Sequence, residues 1–154
     1  DAWVDLAERP EWARRRGADL FLSLHFNSAG GPGGETVRGV EVYCLTPART
    51  SSTNARGEGA QTGALGGNRL DAHNLLLAYH LQKSLVTRLG AEDRGVRRAR
   101  FAVLRTAEMP AVLIEAGFMT NPAEFKQIND PTHRRQLAQA MVEGIRSYRR
   151  TVEP

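Results

Sequence analysis

Stretches in which nearly every residue is apolar alternate along this chain with stretches in which apolar residues recur every third or fourth position. That switch of period sorts it into strands and helices. In ADLFLSLHF, Leu20, Leu22, Leu24 and Phe26 alternate with Asp19, Phe21, Ser23 and His25. Both sets are mostly apolar, which predicts a strand over 19–26 covered on both faces, as at the centre of a sheet. RGVEVYCL sets Val40, Val42 and Cys44 against Glu41, Tyr43 and Leu45, a second strand whose Arg38 and Glu41 predict a less buried position. The short apolar runs FAVL (101–104) and AVLIEA (111–116) read as two more strands, the second deeply buried, preceded by a basic turn, AEDRGVRRAR.

The helical stretches carry their own boundary signals. Residues 5–17 form a short helix that Pro10 delays to Arg9 or Pro10 and Gly17 ends. LDAHNLLLAYHLQKSLVTRLG places Ala78, Leu81, Leu85 and Leu89 on one face and closes at Gly90. His73 and His80 share the opposite face roughly 10 Å apart, too far to chelate one ion, and are assigned to solvent together with His133. Asn121, Pro122 and Glu124 spell a capping box, and Asp130 with Pro131 opens a last helix with a stripe of Leu137, Met141, Gly144, Ile145 and Tyr148. Strands alternating with helices predict one α/β domain over 1–154, a mixed and mostly parallel sheet between two helical layers. Residues 46–69 have few large apolar side chains and read as a flexible insertion or rim loop.

Composition narrows the class. At 154 residues with 41% hydrophobic and 25% charged residues, the chain has enough apolar material for one core, and no run long enough to span a bilayer. The single cysteine, Cys44, excludes an internal disulfide. A net charge of +4, carried almost wholly by arginine, allows attraction to a polyanion. RGVRRAR has no interleaved aromatic platform, so nucleic acid is not an expected partner. DAWVDLAERPEW shows no export signal within these residues.

Two polar residues interrupt strands near their carboxyl ends: His25 in LFLSLHFNS and Glu115 in AVLIEAGF. Open α/β sheets bind ligands at those ends, so the two could meet in one crevice. A lone strand-end histidine also serves as a structural residue, and a lone glutamate also pairs with arginine, so spacing leaves both readings open. No GxSxG elbow or phosphate-binding P-loop is present, and Cys44 has no obvious histidine partner.

Four stretches in order then resemble one family, the zinc-dependent N-acetylmuramoyl-L-alanine amidases of the amidase 3 type. ADLFLSLHFNSA is similar to the family's S-[IL]-H-x-N strand, RGVEVYCL to the strand after it, RGVRRARFAVLR to its basic turn and following strand, and MPAVLIEAGFMTNPAE to its P-x-[VIL]-L-[VI]-E-x-G-F-x-[ST]-N signature. The resemblance implies that His25 is a zinc ligand, that Glu115 is the catalytic glutamate, and that the cofactor is one zinc ion. It implies hydrolysis of the amide between N-acetylmuramic acid and L-alanine of peptidoglycan, by a monomer exported to the periplasm or cell envelope. The family's other two zinc ligands, a histidine and a glutamate, lie N-terminal to the segment matched by residue 1. The chain is therefore expected to be the C-terminal portion of the catalytic domain, without its first strand or strands. Some cell-division members carry a regulatory helix where residues 46–69 fall; the apolar-poor sequence predicts a rim without autoinhibition. The competing reading is a wall-binding module without catalysis.

Overall fold

The computed structural model describes residues 3–53 and 63–153. Helix α1 (Arg9–Arg15) leads into strand β1 (Phe21–Asn27), followed by β2 (Val40–Leu45), helix α2 (Asp71–Leu89), β3 (Asp93–Ala99), the single-turn α3 (Ala102–Arg105), β4 (Ala111–Phe118), α4 (Pro122–Asn129) and α5 (Pro131–Val152). The strands form a sheet in the order β1-β4-β2-β3. β1 pairs with β4 and β2 with β3 in parallel, and β2 with β4 antiparallel, so the sheet is mixed and mostly parallel.

Each face of the sheet has its own core. Val40, Val42 and Cys44 of β2 and Val112, Ile114 and Ala116 of β4 meet Leu77, Ala78, Leu81 and Leu85 of α2 and Leu137, Ala140 and Tyr148 of α5. Leu77, Leu81 and Leu85 are wholly buried, each contributing about 1.5–3 kcal/mol of transfer free energy. Gly144 of α5 lets the two helices close up, since a Cβ there would stand 2.9 Å from Leu81 Cα. On the other face Tyr43, Leu45, Ala111 and Leu113 pack against Val103 and Leu104 of α3, with Ala13 of α1 beside them. The expected three layers are present, the second helical layer being thin.

Several expectations change. Among the described residues β1 stands at the edge of the sheet and not at its centre: Leu24 is 45% exposed, and Ser23 is the one buried position in the strand. β2, expected to be less buried, is buried at all six positions, because Glu41 finds partners inside. FAVL is not a strand: Phe101 is extended, Ala102–Arg105 turn once as a helix, and Val103 and Leu104 plug the second core. The basic segment before it is the strand β3 rather than a turn, with its charges paired along the sheet.

Of the histidines expected to face solvent on α2, His73 is exposed and His80 is half-buried, and both rings reach α5. His73 Nδ1 lies 3.0 Å from the Tyr148 hydroxyl, and His80 Nε2 lies 3.1 Å from Thr151 Oγ1. Partial burial, with Lys83 and Arg150 nearby, holds the His80 pKa below its usual value. His133 is half-buried. The α4 cap also departs from its reading: Asn121 accepts from the Ala123 and Glu124 amides, but Glu124 does not return the bond. Its carboxylate instead takes the amides of Phe118 and Gly39, at 2.7 and 2.8 Å, tying the end of β4 to the start of β2.

Residues 46–53 run beside β3, where Thr53 N donates to the Arg98 carbonyl and Arg98 N to Thr53 Oγ1. Residues 66–70 form a 3-10 turn held by Asn68. Positions 54–62 of the expected rim loop lie outside the described residues.

Candidate active site

The functional row begins with strand register. His25 of β1 stands opposite Glu115 of β4, and Glu115 opposite Glu41 of β2. Paired residues on adjacent strands point to the same face, so the three side chains form a row across the sheet at about 4.8 Å per strand. The same face carries Tyr43 and Leu113 into the second core, but α3 does not extend as far as the Glu115 row. The sequence pattern placed His25 and Glu115 at strand ends, and the fold brings them side by side.

His25 is exposed on the free edge of β1, with Nε2 2.8 Å from Ser23 Oγ. Glu115 is half-buried, and its Oε2 is buried without a hydrogen-bond partner. Burial first, and the Glu41 charge second, push its carboxyl up to about 7. A carboxyl poised near neutrality is suited to taking and returning a proton.

Glu41 is the residue that sequence reasoning missed. It is 2% exposed, which for a carboxylate demands full compensation. Oε1 accepts from the Tyr43 hydroxyl at 2.8 Å and from Asn27 Nδ2 at 3.0 Å, the latter reaching across β4 from β1. Oε2 accepts from Arg94 Nε at 3.0 Å and lies 2.8 Å from Arg97 Nε. Burial and the adjacent Glu41 charge raise the Tyr43 pKa well above its ordinary value, so its hydroxyl stays a donor. With both oxygens occupied, Glu41 organises the site and is not available as a base. The only signal in the sequence is a charge at an inward position of an otherwise apolar strand, the same signal that marks Glu115.

Gly117 shapes the rim. At φ +135° it adopts a conformation that side-chain-bearing residues rarely take, and it absorbs the extra residue that moves the pairing from His25↔Glu115 to Asn27↔Phe118. A cavity of about 490 Å³ lies elsewhere, lined in part by Arg38, Glu92, Glu124 and His133, and includes neither His25 nor Glu115.

Residues 1–147 match the profile of the family described as N-acetylmuramoyl-L-alanine amidase. The chain belongs to that family. It is 34% identical over 169 residues to the N-acetylmuramoyl-L-alanine amidase AmiC of Neisseria meningitidis serogroup B, covering 96% of this chain and 40% of that protein. To the N-acetylmuramoyl-L-alanine amidase LytC of Bacillus subtilis it is 30% identical over 150 residues, covering 97% and 25%. Among solved structures, the N-acetylmuramoyl-L-alanine amidase of Clostridium difficile superposes with a TM-score of 0.73 at 30% identity, covering 96% of this chain and 67% of that one. The chain spans between 24% and 60% of the length of the first curated relatives it matches. Its mixed sheet between helices is the fold of these amidases.

Zinc, which this family generally uses, fits the His25 end of the row in part. His25 is exposed, with Nε2 near Ser23 Oγ, and stands in register with Glu115, whose Oε2 lacks a hydrogen-bond partner. Among the described residues no three His, Cys, Asp or Glu side chains gather into a group that could hold a metal ion. No helix of the described residues is long and apolar enough to cross a membrane.

Proposed function

We propose that this chain carries the catalytic glutamate and one zinc ligand of an amidase that cleaves peptidoglycan between the lactyl group of N-acetylmuramic acid and L-alanine of the stem peptide. The observation that carries the reading is the Glu115 carboxyl, with a buried oxygen lacking any partner, set opposite an exposed His25. His25 would hold zinc with ligands from segments outside these 154 residues. When bound, zinc lowers the pKa of a water toward 7 and polarises the scissile carbonyl. Glu115 takes a proton from the attacking water as the new C–O bond forms. It then delivers that proton to the alanine nitrogen as the C–N bond breaks, leaving a lactyl carboxylic acid and a free amine. The network around Glu41 keeps Asn27, Arg94 and Arg97 fixed beside it. A role on the wall places the protein in the cell envelope.

The test is incubation of the protein with its complete flanking sequence and purified muropeptides, followed by mass spectrometry. Release of intact stem peptides beginning at L-alanine, lost on chelation and restored by zinc, is expected. Cleavage elsewhere in the glycan or peptide, or none with zinc supplied, would refute the reading.

A further inference from the structure

The net charge of +4 has one main source. Helix α5 carries five arginines, Arg134, Arg135, Arg146, Arg149 and Arg150, against one glutamate, Glu143, an excess equal to that of the whole chain. At 3.6 residues per turn Arg135, Val142, Arg146 and Arg149 fall on one stripe with Arg150 beside it, opposite the buried Leu137, Ala140, Gly144 and Tyr148. All five of the outward residues are exposed, Val142 by 46%. Part of this charge is used within the fold: Arg149 pairs with Glu153, and Arg88 of α2 pairs with Glu143. Arg135, Arg146 and Arg150 form no ion pair among the described residues; Arg135 reaches the Thr132 hydroxyl at 3.3 Å and Arg150 the Ser147 hydroxyl at 3.0 Å. Lys83 of α2, also exposed and without an ion pair among the described residues, lies with Arg150 near His80. A shallow depression of about 520 Å³ in this surface is lined by Arg88, Ala138, Gln139, Val142, Glu143 and Arg146. Its one carboxylate is the one that Arg88 holds.

We propose that the outer face of α5, with Lys83 of α2, docks the protein on the surface of a bilayer of anionic lipids. Each arginine or lysine brought to such a surface is worth roughly fivefold in binding, and four of them here have no carboxylate to leave. They spread along about 22 Å of α5 and across to α2, a patch with width as well as length, whereas a linear polyanion engages a single row. Val142 in their midst meets the boundary where headgroups give way to acyl chains, a contact that a soluble polyphosphate does not offer. The docking is peripheral, because α5 spends its apolar stripe on the core. It also sets an orientation. Val42 and Ile114, which meet α2 and α5, alternate along their strands with Glu41 and Glu115, so the charged row lies on the opposite face of the sheet. A molecule resting on α5 turns that row away from the lipid and toward the wall. The orientation, unlike the docking, rests on the reading of Glu115 as the catalytic glutamate.

The experiment uses the protein with its complete flanking sequence, sedimented with vesicles of phosphatidylcholine or of an equal mixture of phosphatidylcholine and phosphatidylglycerol. Preference for the mixed vesicles, lost in high salt, is expected. Combining Arg135→Gln, Arg146→Gln and Arg150→Gln should weaken that binding by about 100-fold, and Arg146→Gln alone by about fivefold, which reads the same effect should the triple variant misfold. Val142→Ser should weaken vesicle binding and leave retention on poly(glycerol phosphate) unchanged. All four positions are exposed and far from the charged row, so stem release from soluble muropeptides should match the parent's in every variant, and should continue on the vesicle-bound protein. No preference for anionic vesicles, or equal binding by the parent and the arginine variants, overturns the proposal. Tighter capture by poly(glycerol phosphate) than by the vesicles assigns the patch to a wall polymer and overturns it too. Release that stops on saturation with vesicles refutes the orientation. A protein that docks through these arginines yet releases no stems refutes the amidase reading alone.

Discussion

Glu115 should make the fold less stable at neutral pH than at acid pH, and replacing it with glutamine should remove that dependence. Its carboxyl is raised from an ordinary 4.5 to about 7, by burial first and by Glu41 second. A folded pKa above the unfolded one means that the folded protein holds its proton longer. The stabilisation is therefore complete below pH 4.5 and disappears as pH rises through about 7. At about 1.4 kcal/mol per pKa unit the full shift corresponds to roughly 3 kcal/mol. Solvent reaches part of this half-buried group, and screening reduces the expected effect to about 1–2 kcal/mol. Glu115→Gln keeps the shape and removes the charge. Urea unfolding of both proteins with a chelator present, followed by circular dichroism at pH 4, 6 and 8, reads the difference directly. The variant should match the parent at pH 4 and exceed it by about 1–2 kcal/mol at pH 8. A difference that does not change with pH, or a variant less stable at pH 8, would refute the assignment of Glu115 as a carboxyl strained by burial.

Glu41→Leu should destabilise by about 3–5 kcal/mol in the same assay, because it strips Arg94 and Arg97 of a buried counter-charge, and a loss below 1 kcal/mol would show the cluster to be dispensable. Gly144→Ala should lower stability by about 1–3 kcal/mol, since the new methyl would meet both the backbone and the side chain of Leu81; a neutral or stabilising result in thermal melts would contradict the tight α2–α5 seam. His25→Ala should leave the melting temperature of the metal-free protein nearly unchanged, the ring being exposed, while lowering zinc retained after dialysis of the complete protein. Equal zinc retention would remove His25 from the ligand set.

Legibility in the sequence followed the range of the interactions. The α2 stripe, the Asn121 cap and the buried β4 run are local patterns, and they appear where the periodicity put them. β3 and α3 were exchanged in kind because their decisive contacts are distant. DRGVRRA holds as a strand because Glu41, 53 residues away from Arg94, pairs with both Arg94 and Arg97, and AVLR turns as a helix because it caps a core built by β2 and β4. Four consecutive apolar residues fit one buried strand or one helical turn equally well. For the site, His25 and Glu115 stood out as polar breaks in apolar runs, whereas Glu41 and Arg94 did not. Their meaning is relational: a buried carboxylate is legible only once its three donors and the Arg97 charge are in place, and Arg94 faces it only because Gly95 shifts the strand's phase.

The most direct test of the account is Glu115→Gln in the protein with its complete flanking sequence, assayed for stem-peptide release from muropeptides alongside its zinc content. The account predicts that release falls by about 10²–10⁴-fold while zinc stays bound, because the substitution removes the proton carrier and spares the ligands. Release at the parent's rate, or loss of zinc along with activity, would contradict it.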